Sequence, residues 1–568
     1  MPTSPALPSA ACADLVIECG VVATMRDGCR LVADIYRPAP TAASPGPWPV
    51  LLMRQPYGRD IASTVVYAHP TWYARRGFIV VIQDVRGRGD SEGVFYTFRH
   101  ETEDGFDTVA WAAALPGSSG RVGMYGFSYQ GSTQLLAALA RPPALRALAP
   151  HMTAFDLYSG WFYRAGLLQL STTLGWASQM LREDSRRSPH PDARAAERSL
   201  DQNYLNSGAL SQAFPLPAAT PFTHPALPTY GADWLAHANY DDYWREFDLL
   251  ARVADLGLPM FHLSGWYDFY LRGSVDGYRA TAAAHPDQFL LAGPWSHIPW
   301  GRQIGAADLG PSAVPAIDEL QAAWFHHWLD HESPPAACPL SGTSYFVLGE
   351  NKWRTAPSWP PASTPTPWYL ASEGRANSRY GDGRLDSDSA SGPDDMFNYD
   401  PEVPVVAPGG NQGGHVGWGP HDLSAQQQSL NLLCYTSAPL IAPLVLAGHP
   451  RAVLHVLSSA PETSFVVRLS RVTPDGRAHF LTLGAVIARV QTGPGEITVE
   501  LDPTAVRFEV GDRLRLDVAS SAFPLLIRHP NTLVSPAAVA RPADFRRALQ
   551  VVYHDSSRPS RLLLPVLS

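Results

Sequence analysis

Ser128 stands in the stretch Arg121-Val122-Gly123-Met124-Tyr125-Gly126-Phe127-Ser128-Tyr129-Gln130-Gly131-Ser132. A short apolar run meets a serine flanked by glycines, and the helix-forming Thr133-Gln134-Leu135-Leu136-Ala137-Ala138 follows at once. Strand, sharp turn and helix in that order read as a nucleophile elbow, where small residues let the backbone bend and lift the hydroxyl above a sheet. A serine hydroxyl is a weak nucleophile, so it needs a base, and the base needs an orienting acid. Two later segments supply them. Met260-Phe261-His262-Leu263 runs into Ser264-Gly265-Trp266-Tyr267-Asp268, and Gln288-Phe289-Leu290-Leu291-Ala292 runs into Gly293-Pro294-Trp295-Ser296-His297. The order Ser128, Asp268, His297 is that of sheet hydrolases, and both partners fall just past a strand's carboxyl end, where such sheets place their sites. One detail is irregular: Gln130 occupies the usual place of the second glycine, which arrives one residue later as Gly131.

Acyl transfer also needs donors for the oxyanion. The backbone N–H of Tyr129 is one candidate. Tyr57, in Arg54-Gln55-Pro56-Tyr57-Gly58, could offer its phenol; on the residues alone it reads as a loop tyrosine packed on the surface.

The elements that must position these groups are legible as a rhythm. Val22-Ala23-Thr24-Met25 and Leu31-Val32-Ala33-Asp34-Ile35-Tyr36 flank Arg26-Asp27-Gly28 and predict a hairpin. Val50-Leu51-Leu52-Met53 and Phe78-Ile79-Val80-Val81-Ile82 are fully apolar, as buried parallel strands are. Glu101 to Leu115 predicts a helix with acids in its first turn. Alternating strands and helices specify an α/β sheet. From Phe155 to Arg245 the rhythm breaks into aromatic and helix-forming sequence, an insertion that accounts for the long gap between Ser128 and Asp268. Beyond Trp353 the chain becomes β-like, with runs such as Ala452–Leu457, Phe465–Leu469, Ile497–Leu501 and Leu514–Val518. The reading is an α/β sheet domain over 14–154 and 246–352, a helical insertion over 155–245, and an all-β sandwich or jelly roll over 353–568.

Composition narrows the function class. The 568 residues carry a net charge of −9, with no basic excess to neutralise nucleic-acid phosphates or an anionic membrane. The five cysteines, Cys12, Cys19, Cys29, Cys338 and Cys434, have neither disulfide-framework nor zinc spacing. The segment Met1–Ala13 lacks a charged start and an apolar core, so a cytoplasmic protein is expected. No metal or other cofactor is called for, and the expected partner is a small ester or amide. An apolar jelly-roll face could also pair two copies.

Several motifs together resemble one family: the cocaine esterase and Xaa-Pro dipeptidyl-peptidase hydrolases, which include α-amino acid ester hydrolases and some cephalosporin acylases. They are Pro56-Tyr57-Gly58, Asp84-Val85-Arg86-Gly87-Arg88-Gly89 with Ser91-Glu92-Gly93, the elbow with its displaced glycine, Gly265-Trp266-Tyr267-Asp268, and Gly293-Pro294-Trp295-Ser296-His297. Asn398-Tyr399-Asp400-Pro401 and Ser520-Ser521-Ala522-Phe523-Pro524 extend the likeness through nearly the whole chain. The resemblance implies that these three parts are an α/β-hydrolase core, a helical cap over the site and a C-terminal all-β jelly-roll domain, and it places the Tyr57 hydroxyl beside the Tyr129 N–H in the oxyanion hole. The α-amino acid ester hydrolases carry further acids after the triad aspartate; here Phe269, Tyr270 and Leu271 follow, which points away from that subgroup. The aromatic cap and Phe269 suggest a hydrophobic or aromatic acyl group, with Trp161, Phe162, Trp176 and Phe269 as pocket candidates.

The expected activity is therefore ester hydrolysis, extending to some amides, with rate rising as His297 gives up its proton. Acyl transfer or cyclisation through the same acyl-enzyme is an alternative, as is Xaa-Pro dipeptidyl-peptidase activity, though no site for a free amino terminus is identifiable. A binding protein on a hydrolase scaffold is the alternative outside enzymes. Other signals carry less weight. Arg88-Gly89-Asp90 spells an adhesion tripeptide in what reads as a sheet loop. His326, His327 and His331 lack the glutamate of a zinc-protease pair. Asp201, Asp241 and Asp242 read as surface acids.

Overall fold

The computed structural model describes residues 14–567 except 43–44, 61, 206–211, 213–215, 217–220, 253–255, 333–337, 390, 408–416, 418 and 540. Residues 1–13, with Cys12, lie outside the described residues.

A ten-stranded sheet organises the first 356 residues. Its strands are β1 (Leu15–Thr24), β2 (Arg30–Pro38), β3 (Trp48–Gln55), β4 (Ile79–Asp84), β5 (Ser118–Phe127), β6 (Leu145–His151), β7 (Met260–Gly265), β8 (Gln288–Gly293), β9 (Gly342–Val347) and β10 (Lys352–Ala356). They lie in the order β1-β2-β4-β3-β5-β6-β7-β8-β9-β10, with β3 to β9 parallel and the outer strands antiparallel. The apolar strands β3, β4, β7 and β8 are buried at every residue, because helices cover both faces of the sheet. Two of those helices, α1 (Glu101–Ala113) and α2 (Tyr129–Leu139), pack on one another beside β5.

Between β6 and β7 the chain leaves the sheet and builds the cap. Its framework is α3 (Leu170–Arg187) and α4 (Ala193–Leu205), preceded by a π-helical turn at Tyr158–Phe162 and a two-residue hairpin, Tyr163–Arg164 with Leu167–Leu168. An isolated bridge between Asp156 and Asp248 closes the neck of the insertion. The cap is fastened to the core from below. Arg88 is fully buried, donates to Asp184 of α3 at 3.0 Å and stacks on Phe95, while Tyr230 donates to the same carboxylate at 2.6 Å. Arg88 is thus a structural cation and not part of an accessible adhesion tripeptide.

The C-terminal portion is all-β. Thirteen strands between Thr364 and Val566 form one hydrogen-bonded network, antiparallel throughout except where Arg384–Leu385 runs parallel to Thr436–Ser437. The runs expected as strands occur as Arg451–Ser458, Thr463–Val472, Gly495–Glu500 and Arg513–Ala519. Strand β10 pairs antiparallel with β9 and belongs to the first sheet, so a boundary at 353 falls inside a strand. The Pro-rich segment that suggested it begins one strand too early. The Ser520–Pro524 motif docks this domain on the cap: Leu170 N–H and Ser171 N–H donate to the carbonyls of Leu525 and Pro524. Buried Arg164 of the cap meets Asp502 of the β-domain at 2.5 Å. Among the described residues no helix is long and apolar enough to cross a membrane.

Arg88 neutralises an acid that burial otherwise penalises, so its loss strands the Asp184 charge. Arg88→Met should destabilise the protein by about 3–5 kcal/mol. Thermal denaturation followed by circular dichroism checks this, with the cap the first part to become protease-sensitive.

Candidate active site

Ser128 occupies the turn between β5 and α2 with φ 61° and ψ −129°, a left-handed conformation that non-glycine residues rarely adopt. Its N–H is held by the carbonyls of His151 and Met152 at 3.0 and 3.1 Å. Tyr129 is the first residue of α2, so its N–H has no helical carbonyl beneath it and is open to an incoming oxyanion. The displaced glycine has a steric cause. A Cβ on Gly131 would stand 2.7 Å from the Thr153 side chain, so helix and post-β6 loop pack closely only with glycine there. Gln130, in the usual glycine place, folds back so that its Oε1 accepts the Phe127 N–H at 3.2 Å.

The side chain of Tyr129 anchors this turn from inside. Its hydroxyl donates to Glu101 at 2.9 Å and accepts the Phe98 N–H at 2.9 Å. Glu101 in turn meets Arg54 at 2.7 Å, and all three side chains are buried. Burial raises the Glu101 carboxyl above its usual range, against the pull of Arg54. None of this support was identifiable from spacing: Glu101 looks like an ordinary helix-start acid, and Arg54 lies in a strand.

Asp268 and His297 arrive on the loops after β7 and β8, which are stitched together where the Tyr267 N–H donates to the Trp295 carbonyl at 3.0 Å. Asp268 is fully buried, and its Oδ1 lies 3.0 Å from His297 Nδ1. A carboxylate only accepts, so Nδ1 carries the proton of that contact and Nε2 is left as the basic nitrogen. The imidazole packs between Phe127, Phe269 and Tyr270, with ring centroids at 5.2, 4.6 and 5.3 Å. Ser128, Asp268 and His297 therefore all follow the carboxyl ends of their strands, β5, β7 and β8. In this resting arrangement no hydrogen bond joins the Ser128 hydroxyl to His297; such contacts commonly tighten only when substrate binds.

Two phenols face Ser128 instead. Tyr57 follows β3, and its hydroxyl accepts the Trp176 indole N–H at 3.2 Å. With that lone pair taken, the phenol's own proton is directed elsewhere, and Ser128 lies within reach. Burial pushes the Tyr57 pKa up to about 12, which the contacts with Trp176 and Ser128 partly oppose. The surface-tyrosine reading is overturned for a simple reason: the cap lies over a residue that the local sequence places in a loop. Tyr270 was not among the expected site residues. Its hydroxyl is buried without a hydrogen-bond partner, and burial holds its pKa well above the usual value while the neighbouring Ser128 pulls the other way. Its position two residues after Asp268 was the available signal.

The expected pocket residues separate into two layers. Trp161 packs on Trp176 at 4.8 Å and on Tyr270 at 4.6 Å, and Phe269 lies against His297. Phe162 is fully buried and sits one layer back, against Trp234 and Trp244. Phe98, on the loop before α1, joins the front layer by packing on Trp161 and stacking on Tyr129. The remaining polar residues are engaged elsewhere: Asp201 with Arg182, Asp241 with His237, Asp242 with Arg245, and His326 with Asp330 and the Phe78 ring.

The comparisons agree with this architecture. The family of the X-Pro dipeptidyl-peptidase (S15 family) matches residues 27–299, and that of the X-Pro dipeptidyl-peptidase C-terminal non-catalytic domain matches 339–563. The chain is 32% identical to a cocaine esterase of Rhodococcus sp. (strain MB1 Bresler), covering 97% of this chain and 98% of that one. It is 27% identical to a putative serine esterase of Mycobacterium bovis, over 88% of this chain and 89% of the relative. Among solved structures, an α-amino acid ester hydrolase matches with a TM-score of 0.80 at 24% identity, covering 99% and 98% of the two chains. An aminopeptidase from a Thaumarchaeota archaeon matches with a TM-score of 0.77 at 22% identity, over 100% and 98%. At those identities the structures establish the fold alone. Fold and relatives together define a serine hydrolase, an enzyme that cleaves esters. The chain belongs to the X-Pro dipeptidyl-peptidase (S15) family, as its motifs implied.

If Trp176 aims the Tyr57 proton, Trp176→Phe should lower kcat about tenfold, the value of one hydrogen bond in a water-poor site. The double variant with Tyr57→Phe should then lose no more than Tyr57→Phe alone. Steady-state kinetics of the three variants read out that coupling.

Proposed function

We propose that the protein hydrolyses carboxylic esters with hydrophobic or aromatic acyl groups through an acyl-enzyme on Ser128. The observation that carries the proposal is the strained serine at the start of α2, on the same sheet edge as the 3.0 Å Asp268–His297 pair. His297 Nε2 takes the Ser128 proton as Oγ bonds to the substrate carbonyl carbon. The electron pair released from the C=O becomes an oxyanion, held by the Tyr129 N–H and the Tyr57 hydroxyl. Asp268 keeps the imidazole oriented and stabilises its positive charge. The imidazolium then protonates the leaving alcohol as its bond to carbon breaks. Water, deprotonated by His297, attacks the acyl-enzyme, and the proton returns to Ser128 as the acid departs.

The aromatic front layer of Trp161, Trp176, Phe98 and Phe269 supports an apolar acyl group. The residues after Asp268 are Phe269, Tyr270 and Leu271, with no carboxylate to receive an ammonium. The named esterases among the relatives support esters over peptides. A fluorophosphonate probe should label Ser128 in the wild type and not in Ser128→Ala, which should lose essentially all esterase activity. In a panel of matched esters, benzoyl and phenylacetyl groups should be preferred to acetyl and α-aminoacyl groups. Preference for an α-aminoacyl ester would overturn the acyl-group assignment, and full activity in Ser128→Ala would overturn the mechanism.

A pH dependence follows from Tyr57. A phenol with pKa raised to about 12 stays protonated, and so stays a donor, at every pH below that value. The kcat/KM of the wild type should therefore show no Tyr57-dependent fall between about pH 8 and about pH 10, where an ordinary tyrosine begins to ionise. Tyr57→Phe should lower kcat by about 10²–10³-fold across that range, with little change in KM.

A further inference from the structure

The β-domain carries a second concave site, formed by strands and turns that contribute nothing to the Ser128 centre. It encloses about 890 Å³ and is lined by Arg379, Arg384, Arg513 and Arg515, with Thr436 and Thr473 among its polar neighbours. That volume lies in the range of small-molecule sites. One acid, Asp382, is on its wall, and it already accepts the Arg375 N–H at 3.1 Å. The concentration of cations runs against the chain as a whole, where 52 acids outnumber 43 basic residues.

The hydrogen bonds of these arginines leave their charge largely uncompensated. Arg379 donates to the carbonyls of Gly476 and Ser424, and Arg513 to that of Ser437. Arg384 has only looser contacts with carboxylates, Asp386 at 3.4 Å and Glu373 at 4.0 Å. Arg515 is 6% exposed; its Nε donates to Thr436 Oγ1 and its Nη1 to Gln427 Oε1, while its Nη2 has no acceptor among the described residues. Buried Asp517, the nearest carboxylate behind Arg515, is taken up by both Gln427 contacts and by Arg468. Burial lowers the Arg515 pKa; Cys434 and Asp517 behind it oppose that shift, and the neighbouring charges of Arg379 and Arg513 add to it. Like charges crowd a cavity at a cost, which an anion seated between them removes. Planar guanidinium forks match the oxygens of phosphate and carboxylate groups.

We propose that this cavity binds a compact, multiply charged oxyanion, a polyphosphate or a polycarboxylate, between the guanidinium groups of Arg379, Arg384, Arg513 and Arg515. The test uses the full-length protein at low ionic strength. Isothermal titration with tripolyphosphate, and separately with citrate, is compared with sodium chloride at matched ionic strength. One saturable site per chain is expected for at least one of the two anions. The double variant Arg384→Ala/Arg513→Ala should weaken it by about tenfold or more, the scale of lost charge-assisted hydrogen bonds. Its melting temperature and its hydrolysis of a test ester should stay those of the wild type, which separates this site from the Ser128 centre. Binding of tripolyphosphate alone identifies a polyphosphate site, and binding of citrate alone a polycarboxylate site. No saturable binding of either anion, or equal affinity in the double variant, overturns the proposal.

Discussion

The turn at Ser128 is held in an unfavourable backbone conformation, and the buried chain Tyr129–Glu101–Arg54 is what holds it. A non-glycine residue at φ 61° costs about 1–3 kcal/mol unless its surroundings over-determine it. Here they do. The Tyr129 hydroxyl is fixed on both sides, by Glu101 as acceptor and by the Phe98 N–H as donor, so the first turn of α2 cannot rotate. A buried ion pair such as Arg54–Glu101 contributes little net stability, because desolvation offsets its attraction. Its effect is positional. The Tyr129 side chain thus anchors the turn whose first helical N–H is its own.

The cap brings its own consequence. Arg88 and Tyr230 tie α3 to the sheet domain through Asp184, while the main-chain bonds to Pro524 and Leu525 tie the start of α3 to the β-domain. The same helix carries Trp176, whose indole meets Tyr57. Cap position and the Tyr57 hydroxyl are therefore linked, because the helix that packs the cap aromatics also donates to that hydroxyl. The β-domain takes part in this through α3, without placing a residue beside Ser128 in the contacts described.

Much of the scaffold was legible because its signals are local. Apolar runs four to six residues long gave strands at β3, β4, β7 and β8, and the acids of Glu101–Asp104 marked the start of α1. The order of Ser128, Asp268 and His297 was readable because each follows its own strand. The last strand of the first sheet, β10, gives little local signal, because it is an edge strand in Pro-rich surroundings and lacks the apolar run of its neighbours. Phe162 and Trp161 are adjacent and chemically alike, yet one backs the cap core and the other faces Tyr270. A one-dimensional pattern cannot assign neighbouring aromatic rings to layers.

Three kinds of information were carried by the chain alone: the elbow-like turn at Ser128, the order of the acid and histidine that follow it, and the family to which these motifs belong. Each depends on residues close together in sequence, or on their order, and neither requires a fold to be seen. The support of the elbow, the capture of Tyr57 by Trp176, the unpartnered Tyr270 phenol and the clustering of four distant arginines depend on folding. Tyr57 and Trp176, for example, are 119 positions apart, joined across a cap whose path no local periodicity encodes. Packing brings those groups together, and burial then changes what they do: it keeps the Tyr57 proton in place.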